Sequence, residues 1–79
     1  MIYSSQAIVF PEGESQEVQH KLRINDVVDL NGIPLRLPLA TVRMIAYRVY
    51  KISTRRTRNE EILEYHLDLL TRNDMQELI

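Results

Sequence analysis

The stretch from Leu63 to Leu69 constrains the fold more than any other part of the chain. Leu63, Tyr65, Leu67 and Leu69 alternate with Glu64, His66 and Asp68. A period of two puts alternate side chains on opposite faces of an extended strand, here one apolar and one polar. Helix-start signals compete: Asn59 precedes Glu60 and Glu61, and Ile62, Leu63, Leu67 and Leu70 can line one helical stripe. The alternation is the cleaner pattern, so a strand is expected.

Its expected partner is the longest strand, about Val42 to Thr54. Arg43, Ile45, Tyr47, Val49, Lys51 and Ser53 share one parity; Met44, Ala46, Arg48, Tyr50, Ile52 and Thr54 share the other. Neither set is purely polar, which predicts cover on both faces over part of the length. The polar run Arg55-Arg56-Thr57-Arg58-Asn59 reads as an exposed turn. An even register sum across that turn sets Ile45, Tyr47 and Val49 against Leu63, Tyr65, Leu67 and Leu69 on the core side. Arg48, Tyr50, Ile52, Glu64, His66 and Asp68 then gather on the other face.

Upstream, Gln6 to Phe10 is a short β-prone run stopped by Pro11, and residues 12–16 read as a polar loop. From Glu17 to Ile24 the residues Val18, His20, Leu22 and Ile24 share one parity. His20 is therefore expected to be partly buried, satisfied by backbone or water. Asn31-Gly32 lies between two apolar segments and tolerates positive φ at both positions, the requirement of a type I′ hairpin. That turn would set Leu30 against Ile33 and Val28 against Leu35, with Pro34 confined to an edge or left unpaired. Near the C-terminus, Thr71-Arg72-Asn73-Asp74 has the spacing of a capping box, and Met75, Leu78 and Ile79 can dock a short helix on the sheet.

These signals predict a mainly β fold: a small antiparallel sheet or SH3-like barrel of five to six strands with a short C-terminal helix. Residues 1–79 read as one small β-rich domain. At this size only about 60% of the unfolded surface is hidden on folding, so self-association is a natural supplement. Met44, Tyr50 and Ile52, on the side away from the expected core, are candidate contact residues.

Charge is segregated along the chain. Residues 1–29 hold two bases and five acids, residues 30–59 seven bases and no acid, and residues 60–79 one base and six acids. Six of the central bases, Arg43, Arg48, Lys51, Arg55, Arg56 and Arg58, fall on the expected hairpin and are the candidate nucleic-acid-binding residues. A two-stranded ribbon with a cationic tip can lie along phosphates or enter a groove. The expectation is a non-catalytic binding module for nucleic acid or another polyanion. Alternatively, the chain is a homo-oligomeric or protein–protein interaction domain. The simplest reading of the same charges is that basic and acidic strands neutralise one another across the sheet. The octamer Arg43–Tyr50 fits the RNA-recognition-domain pattern at Arg43, Ala46, Tyr47 and Tyr50, but not at Met44, Ile45 and Arg48. No helix signal precedes it, so it supports no family assignment.

Catalysis finds few parts in the sequence. There is no cysteine, only Gly13 and Gly32 as glycines, and only His20 and His66 as imidazoles. Thiolate chemistry and phosphate-cradling glycine loops are excluded. Glu64, His66 and Asp68 share a strand face, but the outer two would stand about 13 Å apart, too far to share one ion. No enzyme activity, metal or other cofactor is expected. The stretch Met1–Gln6 lacks the basic start and long apolar run of a signal peptide, and no segment approaches a membrane span. A short chain without cysteine fits a cytoplasmic setting, with no membrane partner.

Overall fold

The computed structural model describes residues 3–79; Met1 and Ile2, the start of the stretch read for a leader, lie outside the described residues. Five strands and a helix follow one another: β1 (Tyr3–Val9), β2 (Ser15–Val18), β3 (Val27–Val28), β4 (Tyr47–Arg56), β5 (Glu60–Leu69) and α1 (Arg72–Gln76). They form one sheet in the order β2-β1-β5-β4-β3, curled into a half-barrel compatible with a small SH3-like fold. The expected β class and short closing helix are both present. Three strand pairs are antiparallel, while β1 runs parallel to β5, with Tyr3 opposite Glu60 and Val9 opposite His66.

The concave side holds the main core. Ile8, Val18, Leu22, Val28, Tyr47, Val49, Tyr65 and Leu67 are buried together, and Phe10 stacks edge-on against Tyr47 with ring centroids 5.3 Å apart. A second cluster lies on the other face at the β3 end: Val27, Leu39, Ala46, Leu70 and Met75. Adjacent Val27 and Val28 point into different clusters, as strand geometry requires. The start of β4 is thus covered on both faces, as its mixed parities predict.

The helix that closes the second cluster is held by its cap. Thr71 accepts from the Asp74 amide at 3.1 Å through Oγ1, and Asp74 accepts from the Thr71 amide at 3.0 Å. The Thr71 backbone and side-chain hydrogen bonds, with the Arg48 charge nearby, hold the Asp74 carboxyl below its ordinary value. Met75 is buried in the cluster, with Leu78 packed against it. Five residues are too few for a self-supporting helix, so this packing is what keeps them wound.

Several local expectations are corrected. The first strand begins at Tyr3 rather than Gln6, and β2 starts at Ser15, inside the expected loop. Beyond Val18 the chain leaves the sheet; the burial alternation runs on through His20 to buried Leu22 and ends there, with Ile24 exposed. His20 is half-buried as expected, its Nε2 2.6 Å from the Gly32 carbonyl oxygen. The Asn31-Gly32 turn is not type I′, since only Gly32 of the pair has positive φ, at 78°. Asp29 Oδ1 instead accepts from the amides of Asn31 and Ile33, at 2.8 and 3.0 Å, and Asp29 and Ile33 close a three-residue loop. The longer loop shifts the register by one residue, so Val28 faces Pro34 and not Leu35. A one-residue slip reverses side-chain faces, and Leu30 and Ile33 end exposed. Pro34 keeps its edge position, in a single isolated bridge. Gly32 folds back over the core; a Cβ there would lie 2.9 Å from Ile8 Cδ1.

β4 spans Tyr47–Arg56 rather than 42–54. Val42, Met44 and Ala46 turn toward the second cluster, which leaves Ile45 exposed instead of core-facing. The even register sum holds where Tyr47 faces Leu69 and Val49 faces Leu67. Lys51 then faces His66, so Tyr50 is an extra residue, a β-bulge that reverses the parity of all that follows. Ile52 therefore joins the core side and packs against Tyr65's cluster, not the outer face. Of the expected contact residues Met44, Tyr50 and Ile52, only Tyr50 is exposed.

Candidate functional site

The bulge at Tyr50 divides the β4–β5 hairpin into two lengths. Before it, the strands lie in the body of the molecule, covered by α1 on one face and by residues 18–32 on the other. After it, they run out as an arm with β1 alongside, and the molecule extends 44 Å by 22 Å by 17 Å. Ten residues of strand reach about 33 Å, which accounts for most of the long dimension.

Lys51, Arg55, Arg56 and Arg58 are all exposed on the arm, the three arginines at its tip and Lys51 about 13 Å back along the strand from Arg55. Arg43 and Arg48 are not with them. Arg43 is exposed ahead of β4, where its amide donates to Thr41 Oγ1 at 3.0 Å. Arg48 is half-buried in the body opposite Asp68, near enough to Asp74 to lower its pKa. Between Arg48 and Arg56 lies about 26 Å of strand, so the six cations form no continuous patch.

Antiparallel pairing also sets carboxylates beside the arm's arginines. Arg56 faces Glu61 in register, with Nε 3.3 Å from Oε2. Arg55 lies diagonal to Glu64, with Nε 3.9 Å from Oε2. The arginine side chains remain 76% and 62% exposed, so these are screened surface pairs of small energetic weight. They do lower the net field that a polyanion would meet at the tip. Charge counting within residues 30–59 missed these acids because they belong to the next strand; the hairpin register is the signal that finds them. The turn itself is tight, with the Thr57 amide donating to the Glu60 carbonyl at 2.8 Å.

On the outer face of the arm, Ser53 Oγ and His66 Nε2 share a hydrogen bond of 2.7 Å, and the Tyr50 ring tilts over His66 at 6.3 Å. The pair sits on an open sheet face. A recess of about 200 Å³ lies elsewhere, lined by Ser4, Ser5, Gln6, Lys21, Glu61 and Leu63. Among the described residues, no three His, Asp or Glu side chains converge on one point, including Glu64, His66 and Asp68. Tyr47, the aromatic best placed in the RNA-recognition-like octamer, is buried and packs on Phe10, so it presents no ring for base stacking.

The other uncommitted feature is backbone. β3 pairs only with Tyr47 and Arg48, and Asn25 and Asp26 take the outward hydrogen bonds of Val49. Past the bulge, no strand among the described residues lies beyond β4. The Thr57–Glu60 hydrogen bond fixes which residues face inward, because bonded and non-bonded pairs alternate. Lys51, Ser53 and Arg55 direct their amides and carbonyls to β5; Ile52, Thr54 and Arg56 direct theirs outward.

No helix among the described residues is long and apolar enough to cross a membrane. Residues 3–78 match a family described as "Uncharacterised Treponema protein". No curated protein and no solved structure matches the chain.

Proposed function

The chain belongs to this uncharacterised Treponema family, and we propose that it is a non-catalytic binding module that meets a protein partner through its projecting hairpin. The observation that carries this reading is the combination on one arm of an uncovered β4 edge and arginines already opposed by Glu61 and Glu64. Phosphate binding draws its energy from uncompensated cations that release counterions. Here two of the arm's four cations already have a carboxylate beside them, so a polyanion bound there would release fewer counterions. A protein surface can match mixed charge and pair with backbone as well. The cysteine-free composition supports a reducing compartment, the cytoplasm, as its setting.

Nucleic acid is the second reading, favoured by Lys51 and Arg58, which are exposed and make no ion pair among the described residues. A photo-crosslinking side chain at Thr57, with a control at Glu12 in the β1–β2 loop, separates the two in extract of the source cells. The expected result is a discrete protein adduct from Thr57, insensitive to nuclease and absent from Glu12. A nuclease-sensitive adduct, or equal labelling from both positions, overturns the protein-binding reading.

A further inference from the structure

We propose that the outer edge of β4, from Ile52 to Arg56, takes an added strand from an extended acidic segment of a partner protein. This rests on the reading of the hairpin as a protein contact surface and specifies its chemistry. An unpaired strand edge is a template for another strand, with backbone hydrogen bonds supplying affinity and alternate side chains supplying selectivity. The amides and carbonyls of Ile52, Thr54 and Arg56 form that template.

Charge selects the occupant. Lys51 and Arg55 flank the edge on the outer face, and Arg56 flanks it on the concave face beside half-buried Ile52. A strand laid there would place acidic residues against Lys51 and Arg55, and an apolar residue over Ile52, next to Leu63 and Tyr65. The same cations disfavour a second copy of this chain. Edge-to-edge pairing of two β4 strands would crowd Lys51, Arg55 and Arg56 of each against one another, the usual device by which a sheet edge resists self-pairing. Glu61 and Glu64 lie on the far side of β4 and do not obstruct the edge.

The test uses the full chain and two short synthetic peptides, one alternating valine with aspartate and one alternating valine with lysine. Amide hydrogen exchange is followed by NMR, and affinity by fluorescence anisotropy. The acidic peptide should bind and slow exchange at Ile52, Thr54 and Arg56, leaving the inward amides of Ser53 and Arg55 little changed. Thr54→Pro removes an outward donor without breaking a native ladder bond, and should weaken binding about tenfold or more. Lys51→Glu with Arg55→Glu should transfer the preference to the lysine peptide. Strand addition is overturned if the acidic peptide leaves those three amides unprotected, if Thr54→Pro binds it undiminished, or if light scattering shows a second copy occupying the edge. A Thr57 crosslink that persists in the Thr54→Pro chain retains the protein-binding reading while ending this one. Absence of a protein crosslink in the unaltered chain ends both.

Discussion

The two halves of the β4–β5 hairpin are made of the same two strands and differ in what lies against them. In the body, Tyr47 and Val49 face Leu69 and Leu67, and cover on both faces buries Val49 and Leu67 almost completely. On the arm, Thr54 faces Leu63 and Arg56 faces Glu61; Leu63 is only partly buried at the margin of the main core, and Thr54 and Arg56 are exposed. The ladder of backbone hydrogen bonds continues through both. The difference teaches that pairing shapes the arm while burial holds the body. A free two-stranded ribbon is marginal in water, so the arm depends on β1 alongside it and on the body that anchors it.

The sharpest way to break this contrast is to empty one site on each side of it. Leu67 faces Val49 ahead of the bulge and is 2% exposed, so Leu67→Ala should cost about 2–5 kcal/mol. In a domain with a total stability of about 5–15 kcal/mol, that leaves much of the chain unfolded at 37 °C. Leu63→Ala, on the same strand face but past the bulge opposite Thr54, should cost about 1 kcal/mol or less. Urea denaturation followed by circular dichroism measures both; equal costs would mean that the arm is as firmly packed as the body.

Next in size is a pair of glycines. Gly32→Ala adds a Cβ at 2.9 Å from Ile8 Cδ1 and requires an alanine at a φ of 78°, so about 2–3 kcal/mol is expected. Gly13, at a φ of 99°, meets nothing within 4 Å, and its alanine variant carries only the backbone term, about 1–2 kcal/mol. The difference between the two melting points reads the crowding over the core apart from conformational strain.

The smallest effect sharpens the boundary itself. Deleting Tyr50 joins Val49 to Lys51 without moving either partner on β5, so alternation becomes continuous and every arm residue keeps its face. The deletion should change stability by about 1 kcal/mol or less, with the added local twist of the bulge removed. NMR cross-strand contacts between Lys51 and His66, retained in the shortened chain, are the expected sign. Their replacement by a shifted register would show that the bulge sets the pairing rather than accommodates it.

Much of this architecture is legible along the chain. The alternation from Leu63 to Leu69 gives β5, and Thr71 with Asp74 gives the cap, because both patterns are local. The bulge is legible only in retrospect: Tyr47 and Val49 bury on one parity and Ile52 on the other, which is how an inserted residue appears in a hydrophobic pattern. The Asn31-Gly32 turn misled because Asp29 offers its carboxylate to two amides, a side-chain choice that outweighs the dipeptide preference. At the candidate site, the cations of the tip are plain in the sequence, while their compensation by Glu61 and Glu64 depends on register. The outward amides of Ile52, Thr54 and Arg56 have no sequence signature, since an edge is defined by the strand that is missing beside it.

The parallel seam between β1 and β5 ties Tyr3 to Glu60 across fifty-seven positions of chain. As the ribosome delivers residues in order, Ile8 and Val9 emerge early and wait for their inner neighbour until Tyr65 and His66 have left the exit tunnel. Native topology of this kind can be completed only after β5 has been synthesised. A message broken ahead of the Glu60 codon would release β1 without its parallel partner, a natural substrate for chaperones and proteases.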